Sequence, residues 1–148
     1  MSLTYLGFDY GEQRIGVALA HSLTGQAKPL TTVANQWPLI EALLREWQPD
    51  ICIVGLPLAM DGSDQPISLA ARKFARRLQA QGLKQVYLCD ERMSSIAAQD
   101  MLRAQRASGL RKRRLRKGDI DSQSACVILQ QWLDGEERDD EGSFDQQR

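Results

Sequence analysis

A chain of 148 residues is long enough for one domain that buries a hydrophobic core without disulfides or structural metal ions. Hydrophobic residues at 43% and charged residues at 26% exclude a disordered chain, and no apolar run approaches the ~20 residues of a membrane span. The formal net charge is zero, but the charges are unevenly distributed along the chain.

The N-terminal residues and the cysteines predict a location inside the cell. The first residues lack the charged and apolar segments of a signal peptide, so we expect a cytoplasmic protein with no membrane association. Cys52, Cys89 and Cys126 each lie in an apolar run, which is typical of buried thiols in a reducing compartment. Because His21 is the only histidine, the sequence offers no cluster for structural zinc.

The first third of the chain predicts a β-hairpin, a third strand and a helix. Residues 3–9 have the pattern of a strand that ends at a turn, and residues 14–20 have the pattern of its antiparallel partner. A third short strand is predicted, more weakly, around 27–33. Asn35 is a candidate N-cap for a helix whose apolar residues recur at helical spacing and which stops before Pro49.

The remainder of the chain predicts alternating strands and helices. The short apolar run 50–55 is typical of a strand covered on both faces, and residues 86–89 give a similar strand. A helix that ends at Gly82 lies between them. Further helices are predicted over about 94–102 and 119–135. This order predicts an α/β domain with a mixed sheet flanked by helices.

Two oppositely charged segments follow one another near the C-terminus. Residues 103–117 contain eight basic residues and no acid, and their mutual repulsion favours an anionic partner such as RNA or DNA. Residues 134–145 contain seven acids against the single base Arg138. We therefore expect a folded domain over 1–134 and a disordered acidic tail over 135–148.

Acidic side chains occur where three predicted elements end or begin. Asp9 ends the first strand, Asp90 and Glu91 end the strand at 86–89, and Asp119 and Asp121 open the last helix. In open α/β sheets, sites form at the carboxyl ends of strands. At about 100° per residue, Asp121 shares the apolar face of its helix, whereas Asp119 lies roughly 200° away from it.

Each acid also has a structural explanation. Asp9 could accept hydrogen bonds from turn amides, and Asp121 could cap its helix. Taken together, however, the acids describe an oxygen-ligand cluster without histidine or cysteine, which suits Mg²⁺ or Mn²⁺. Two such ions would flank a scissile phosphate in a nucleic acid.

Four segments resemble, in order, the motifs of the YqgF family. They are residues 8–18 (FDYGEQRIGVA), 55–63 (GLPLAMDGS), 90–95 (DERMSS) and 121–130 (DSQSACVILQ). Proteins of this family are described as pre-16S ribosomal RNA nucleases and also as Holliday junction resolvases. The four motifs span nearly all of the chain except the acidic tail.

The resemblance implies an RNase H-like fold and a catalytic acid triad. The triad consists of Asp9, Glu91 and Asp121, and it would ligate the metal ions. Two positions depart from the family pattern: Gln13 stands where a lysine is common, and Asp119 stands where a basic residue is often seen. Neither departure removes a member of the triad.

Basic residues near the triad and in the charged segment would hold nucleic acid. Surface ion pairing is the alternative role for Arg14 and Arg92. The residues expected to contact nucleic acid are Arg14, Arg92, Arg111, Lys112, Arg113, Arg114, Arg116 and Lys117.

The sequence therefore predicts a metal-dependent nuclease, with processing of the 5′ end of precursor 16S ribosomal RNA preferred on the family description. Ribosomal precursor particles are then expected partners. The alternatives are a Holliday junction resolvase, which should be a twofold dimer, and a non-catalytic RNA-binding module. An actin-like nucleotide-binding module is disfavoured, because such proteins need two domains and the chain has no phosphate-binding G-x-x-x-x-G-K-[ST] loop.

Overall fold

A computed structural model of the chain describes residues 2–82, 85–90 and 117–136, with side chains described from 120 to 135 in the last segment. These residues form one five-stranded sheet with helices on both faces. The elements are β1 (Thr4–Tyr10), β2 (Arg14–His21), β3 (Lys28–Ala34), α1 (Trp37–Trp47), β4 (Ile51–Leu56), α2 (Pro66–Ala80), β5 (Gln85–Asp90) and α3 (Lys117–Glu136).

The sheet is mixed, as the sequence predicted, and its strand order is β3-β2-β1-β4-β5. Strand β2 pairs antiparallel with both β1 and β3, whereas β4 pairs parallel with both β1 and β5. The parallel strands β1, β4 and β5 therefore have their carboxyl ends at the same edge of the sheet. Strand β4 is buried along its whole length, which confirms the prediction of a strand covered on both faces.

The side chains of β1 alternate between two hydrophobic cores. Leu6 and Phe8 belong to the core that α1 and α2 cover, and Tyr10 packs against its edge. Tyr5 belongs to the core that α3 covers. Because successive residues of a strand point to opposite faces, Asp9 lies on the α3 face of the sheet.

The start of α1 differs from the prediction. Asn35 does not cap the helix: the N-cap is Gln36, and no side chain accepts a capping hydrogen bond there. The Asn35 side chain instead donates to the carbonyl oxygen of Gly11 at 2.8 Å. The prediction was wrong because the side-chain amide satisfies a carbonyl in the distant β1–β2 turn, and a pattern of neighbouring residues cannot show this.

The start and end of α2 follow from local chemistry. Gln65 is the N-cap, and its backbone amide donates to the side-chain oxygen of Ser68 at 2.8 Å. Ser68 is fully buried and donates in turn to the carbonyl of Pro57. The helix ends at Ala80, two residues before Gly82, whose φ of +90° is the left-handed conformation that glycine adopts easily, as predicted for this position.

The predicted ends of the strands agree with the structure to within one residue. The last helix is longer than predicted: it begins two residues earlier, at Lys117, and ends one residue later, at Glu136, within the expected acidic tail. The helix predicted over 94–102 and the remainder of the tail lie outside the described residues. Among the described residues, no helix is both long and apolar enough to cross a membrane.

Two glycines allow α3 to approach the sheet closely. A Cβ atom at Gly7 of β1 would lie 2.8 Å from the Cβ atom of Leu129. A Cβ atom at Gly16 of β2 would overlap the backbone carbonyl of Asp121 and lie 2.9 Å from the amide nitrogen of Ser122. Both contacts are shorter than unbonded carbon atoms tolerate, so only glycine permits this separation of helix and sheet.

We predict that Gly16→Ala lowers the free energy of unfolding by about 1–3 kcal/mol, the usual cost of overpacking. Gly7→Ala is the matched variant, since it faces the same helix, and its cost should be smaller. The reason is that Gly16 meets the helix backbone, whereas Gly7 meets mainly a side chain. Urea unfolding of both variants measures the difference, and equal stabilities would contradict the close approach at Gly16.

Candidate active site

Asp9 lies near the carboxyl end of the central strand β1, beside Gly16 of β2. The two residues are direct partners in the antiparallel register, so they share a face of the sheet. That face is the one covered by α3, because the missing side chain of Gly16 would project into Asp121. The absence of a side chain at Gly16 leaves room for the start of α3 next to Asp9.

Asp121 lies in the first turns of α3 and faces the sheet, as its position on the apolar face of the helix predicted. It is close enough to Asp9 for its negative charge to disfavour ionisation of that residue. The side chain of Asp121 is 25% exposed, so the site is open to solvent on one side. The sheet and the helix thus bring together two carboxylates that are more than a hundred residues apart in the chain.

Arg14, the first residue of β2, forms an ion pair with Asp121. Its Nε donates to Oδ2 of Asp121 at 2.8 Å, and the arginine side chain is 37% exposed. This contact uses one of the five N–H donors of the guanidinium group. The remaining donors can contact an anion that approaches from solvent. Ion pairing, the alternative considered for Arg14, is therefore present and is compatible with phosphate binding.

The electrostatics of Asp9 are unusual for a carboxylate. Burial raises its pKa, and the nearby charge of Asp121 raises it further, to about 7. At neutral pH a substantial fraction of Asp9 is protonated in the absence of a compensating cation. A buried carboxylate whose pKa is raised this far is often found at a functional site.

The turn between β1 and β2 is fixed by Asn35. Its side chain donates to the carbonyl of Gly11, and its backbone amide donates to the carbonyl of Gln13 at 2.9 Å. These bonds connect the hairpin turn to the start of α1. They hold the segment that joins Asp9 to Arg14, so both residues have a fixed position at the edge of the sheet.

The structure brings together three of the residues predicted to form the site, namely Asp9, Asp121 and Arg14. Lys117 begins α3, but its side chain, like that of Asp119, is not described. The other predicted residues lie outside the described residues: Glu91, Arg92, Arg111, Lys112, Arg113, Arg114 and Arg116. Across the described part of the chain, no three histidine, cysteine, aspartate or glutamate side chains form a metal-binding group.

Two residues of the site were missed by the sequence analysis. Gly16 sets the distance between α3 and the sheet, and Asn35 fixes the turn. A signal existed for Gly16, because an isolated glycine inside a strand often marks a close approach of another backbone. No comparable signal distinguishes Asn35 from a helix cap.

The donor set fits a hard divalent cation. Asp9 and Asp121 supply carboxylate oxygens, which Mg²⁺ and Mn²⁺ prefer. A cation between them would offset the two causes that raise the pKa of Asp9, namely its burial and the nearby charge of Asp121. The residues present are therefore suited to hold such an ion.

The family model described as RuvX, Holliday junction resolvase, matches residues 3–135. The chain belongs to the RuvX family. The four sequence motifs predicted this membership through their resemblance to the YqgF family, and the prediction is confirmed.

Curated relatives of this RuvX protein match it over nearly their whole length. The "Putative pre-16S rRNA nuclease" of Edwardsiella ictaluri is 46% identical over 140 residues, which cover 91% of this chain and 97% of the relative. The protein of the same name from Escherichia coli O157:H7 (strain EC4115 / EHEC) is 48% identical over 139 residues, covering 90% and 98%. The RuvX protein is accordingly a nuclease, a hydrolase that acts on phosphodiester bonds.

Solved structures that resemble the RuvX protein include Holliday junction resolvases. The T. thermophilus RuvC in complex with Holliday junction substrate has a TM-score of 0.56 and 13% identity, covering 85% of this chain and 91% of RuvC. The yeast mitochondrial resolvase Ydc2 has a TM-score of 0.54 and 10% identity, covering 87% and 77%. At these identities the likeness concerns the fold, and it confirms the predicted RNase H-like fold.

The raised pKa of Asp9 predicts how stability depends on pH. Between about pH 4 and pH 7 the folded protein retains a proton that the unfolded chain has lost, so the free energy of unfolding falls as the pH rises through this window. Asp9→Asn removes this effect. We expect the metal-free variant to be more stable than the wild type at pH 8 by at least about 1 kcal/mol, since one pKa unit is worth about 1.4 kcal/mol.

Urea unfolding in EDTA at pH 4.5 and pH 8 measures this difference. Asp64→Asn is the control, because Asp64 forms an ion pair with Arg72 at 3.1 Å and its loss should bring no gain in stability at pH 8. A loss of stability in Asp9→Asn that is the same at both pH values would contradict the electrostatic account of Asp9.

Proposed function

We propose that the protein is a divalent-metal-dependent endonuclease that processes the 5′ end of precursor 16S ribosomal RNA. Asp9, Glu91 and Asp121 are its proposed catalytic residues and metal ligands. The observation that carries the proposal is the pair of carboxylates formed by Asp9 and Asp121, in which the pKa of Asp9 is raised by burial and by its neighbour. Folding maintains this unfavourable pair, and a metal ion would offset its cost.

Each residue of the site has a distinct role in this proposal. Asp9 and Asp121 bind the cation, and the fixed turn next to Asp9 keeps the two carboxylates in place. Arg14 orients Asp121 through the Nε–Oδ2 hydrogen bond and offers its remaining donors to a phosphate oxygen of the substrate. Glu91 and Arg92 follow directly after the end of β5 in the sequence, and they would complete the ligand set and the phosphate contact.

One or two Mg²⁺ or Mn²⁺ ions would supply the chemistry that carboxylates lack, by acidifying the attacking water and stabilising negative charge on the phosphodiester. The protein's contribution is to hold both carboxylates on one side of the scissile bond. The basic segment from Arg111 to Lys117 would bind the polymer through its phosphates, with little dependence on base sequence.

Precursor ribosomal RNA is the preferred substrate because curated relatives that match over nearly their whole length are named for it. Those named as pre-16S rRNA nucleases share 46–48% identity with this chain over 97–98% of their own length. Ribosomal precursor particles are the partners that this substrate implies. We further propose a cytoplasmic location, in keeping with three cysteines that form no disulfide. The catalytic domain would span 1–134, with the acidic segment 135–148 as an appended tail.

Resolution of four-way DNA junctions is a second candidate function. The family description names it, and a structure of RuvC with a Holliday junction shares the fold. This activity would require a twofold dimer that cuts two strands symmetrically. The two candidates share the same carboxylates, so they must be distinguished by substrate.

Cleavage of end-labelled 16S precursor RNA and of a four-way DNA junction, side by side with Mn²⁺, tests the proposal. We expect Asp9→Asn to lower cleavage of the RNA by at least about a hundredfold, because it removes a ligand from the site. Asp64→Asn is the matched control, since it removes a carboxylate that forms an ion pair with Arg72 outside the site.

The outcomes separate the candidate functions. Cleavage of the RNA that depends on Asp9 supports the processing nuclease, whereas symmetric cuts in the junction alone favour the resolvase. RNA binding without cleavage of either substrate would contradict both and favour a non-catalytic RNA-binding module.

A further inference from the structure

A second surface feature lies on the opposite face of the sheet from Asp121. It is a groove of about 390 Å³ between the end of β1, the start of α1 and the outer face of α2. Its volume is in the range of small-ligand sites, which is roughly 300–1,000 Å³. The groove is lined by Tyr10, Asn35, Trp37, Ala70, Lys73, Phe74 and Arg77.

The floor of the groove is aromatic. Phe74 is nearly buried, and it contacts the rings of Tyr10 and Trp37 with centroid separations of 5.2 and 6.1 Å. Tyr10 and Trp37 are only half-buried, so parts of both rings face solvent. Partly exposed aromatic rings that are fixed by a buried neighbour provide surfaces on which a planar group can stack.

The rim of the groove is cationic. Arg77 lies over the ring of Trp37, with its guanidinium carbon 4.2 Å from the ring centroid, and Lys73 lies one helical turn earlier on α2. Both side chains are exposed. The contact with Trp37 holds the guanidinium plane in place, and its N–H donors remain available at the edge of that plane.

The charge of the groove favours an anionic occupant. Its seven lining residues include two cations and no acid. Elsewhere on α2, Arg72 is neutralised by Asp64, but neither Lys73 nor Arg77 forms an ion pair with another described residue. An aromatic floor beside two such cations matches a ligand that carries both a planar ring and a phosphate, which is the chemistry of a nucleotide.

The groove adjoins the proposed catalytic site through β1. Tyr10 directly follows Asp9, and the two side chains point to opposite faces of the sheet at its carboxyl edge. Asn35 lines the groove and also donates to the β1–β2 turn that follows Tyr10. A nucleic-acid strand that has one phosphate at Asp9 can therefore pass over the carboxyl edge of the sheet and place a neighbouring nucleotide in the groove.

We propose that the groove between β1, α1 and α2 binds a nucleotide of the single-stranded segment that flanks the scissile phosphate. The base packs against the exposed parts of Tyr10 and Trp37, beside the guanidinium of Arg77 that covers one face of Trp37, and the phosphate contacts Lys73 and Arg77. The inference rests on the proposed nuclease function for the choice of a polymer as ligand. Binding to the groove needs no cleavage, so it can be measured separately.

The test is binding of a fluorescently labelled single-stranded 12-mer, measured by anisotropy in EDTA so that no cleavage occurs. Lys73→Gln combined with Arg77→Gln should weaken binding about tenfold. It should also reduce the slope of log K against log salt by about 0.7, the value for the loss of one phosphate contact on a single strand. The same 12-mer as RNA and as DNA shows whether the groove prefers one sugar.

The matched control is Arg45→Gln combined with Arg76→Gln. Arg45 lies on α1 and Arg76 on α2, and both are exposed but do not line the groove. Their replacement removes the same total charge as the groove variant. We expect their affinity and salt slope to stay close to those of the wild type. Equal losses in both double variants would overturn the proposal, because the effect would then reflect overall charge.

Photocrosslinking gives an independent measurement that requires no change to the groove. An oligonucleotide with 5-iodouracil at each position in turn should form crosslinks to Tyr10 or Trp37, identified by mass spectrometry of the wild-type protein. Crosslinks confined to other residues would overturn the proposal. An acidic peptide that displaces the 12-mer from the groove and binds there more tightly would also overturn it. Loss of cleavage in Asp9→Asn with these crosslinks retained would separate the groove from the catalytic site.

Discussion

The site is organised around a buried carboxylate, Asp9, that has a second carboxylate, Asp121, beside it. Asp9 is buried on the central strand, and the charge of Asp121 adds to the cost of ionising it. The close approach of α3 at Gly16 maintains this arrangement, and Arg14 compensates it only in part through a single hydrogen bond to Asp121. Burying this pair is unfavourable without a compensating charge, and the proposed cation would supply one.

The two faces of the sheet have different proposed functions. On the α3 face, the carboxylates would hold the ion and the scissile phosphate. On the other face, the groove at Trp37 and Arg77 would hold a neighbouring nucleotide. Strand β1 connects them, because Asp9 and Tyr10 are consecutive and point in opposite directions. This arrangement would let a single strand cross the edge of the sheet, which suits an RNA end more readily than a fully paired duplex.

Much of the fold and part of the site could be predicted from the sequence. Strand ends were placed to within one residue because apolar runs end at turn residues, and helical periodicity correctly placed Asp121 on the side of α3 that faces the sheet. The groove could not be predicted, since β1, α1 and α2 contribute to it and no local pattern relates them. Arg14 and Asp121 are 107 residues apart, and only the register of β1 with β2 and the packing of α3 bring them together.

Asp9 and Asp121 are proposed to bind a divalent cation together. Titration of the ¹⁵N-labelled protein with Mn²⁺ tests it directly, because the paramagnetic ion broadens the amide signals nearest to it. We expect selective broadening at residues 8–11 and 120–123 that is lost in Asp121→Asn and retained in Asp64→Asn. Broadening centred on another part of the protein, or unchanged by Asp121→Asn, would contradict the claim.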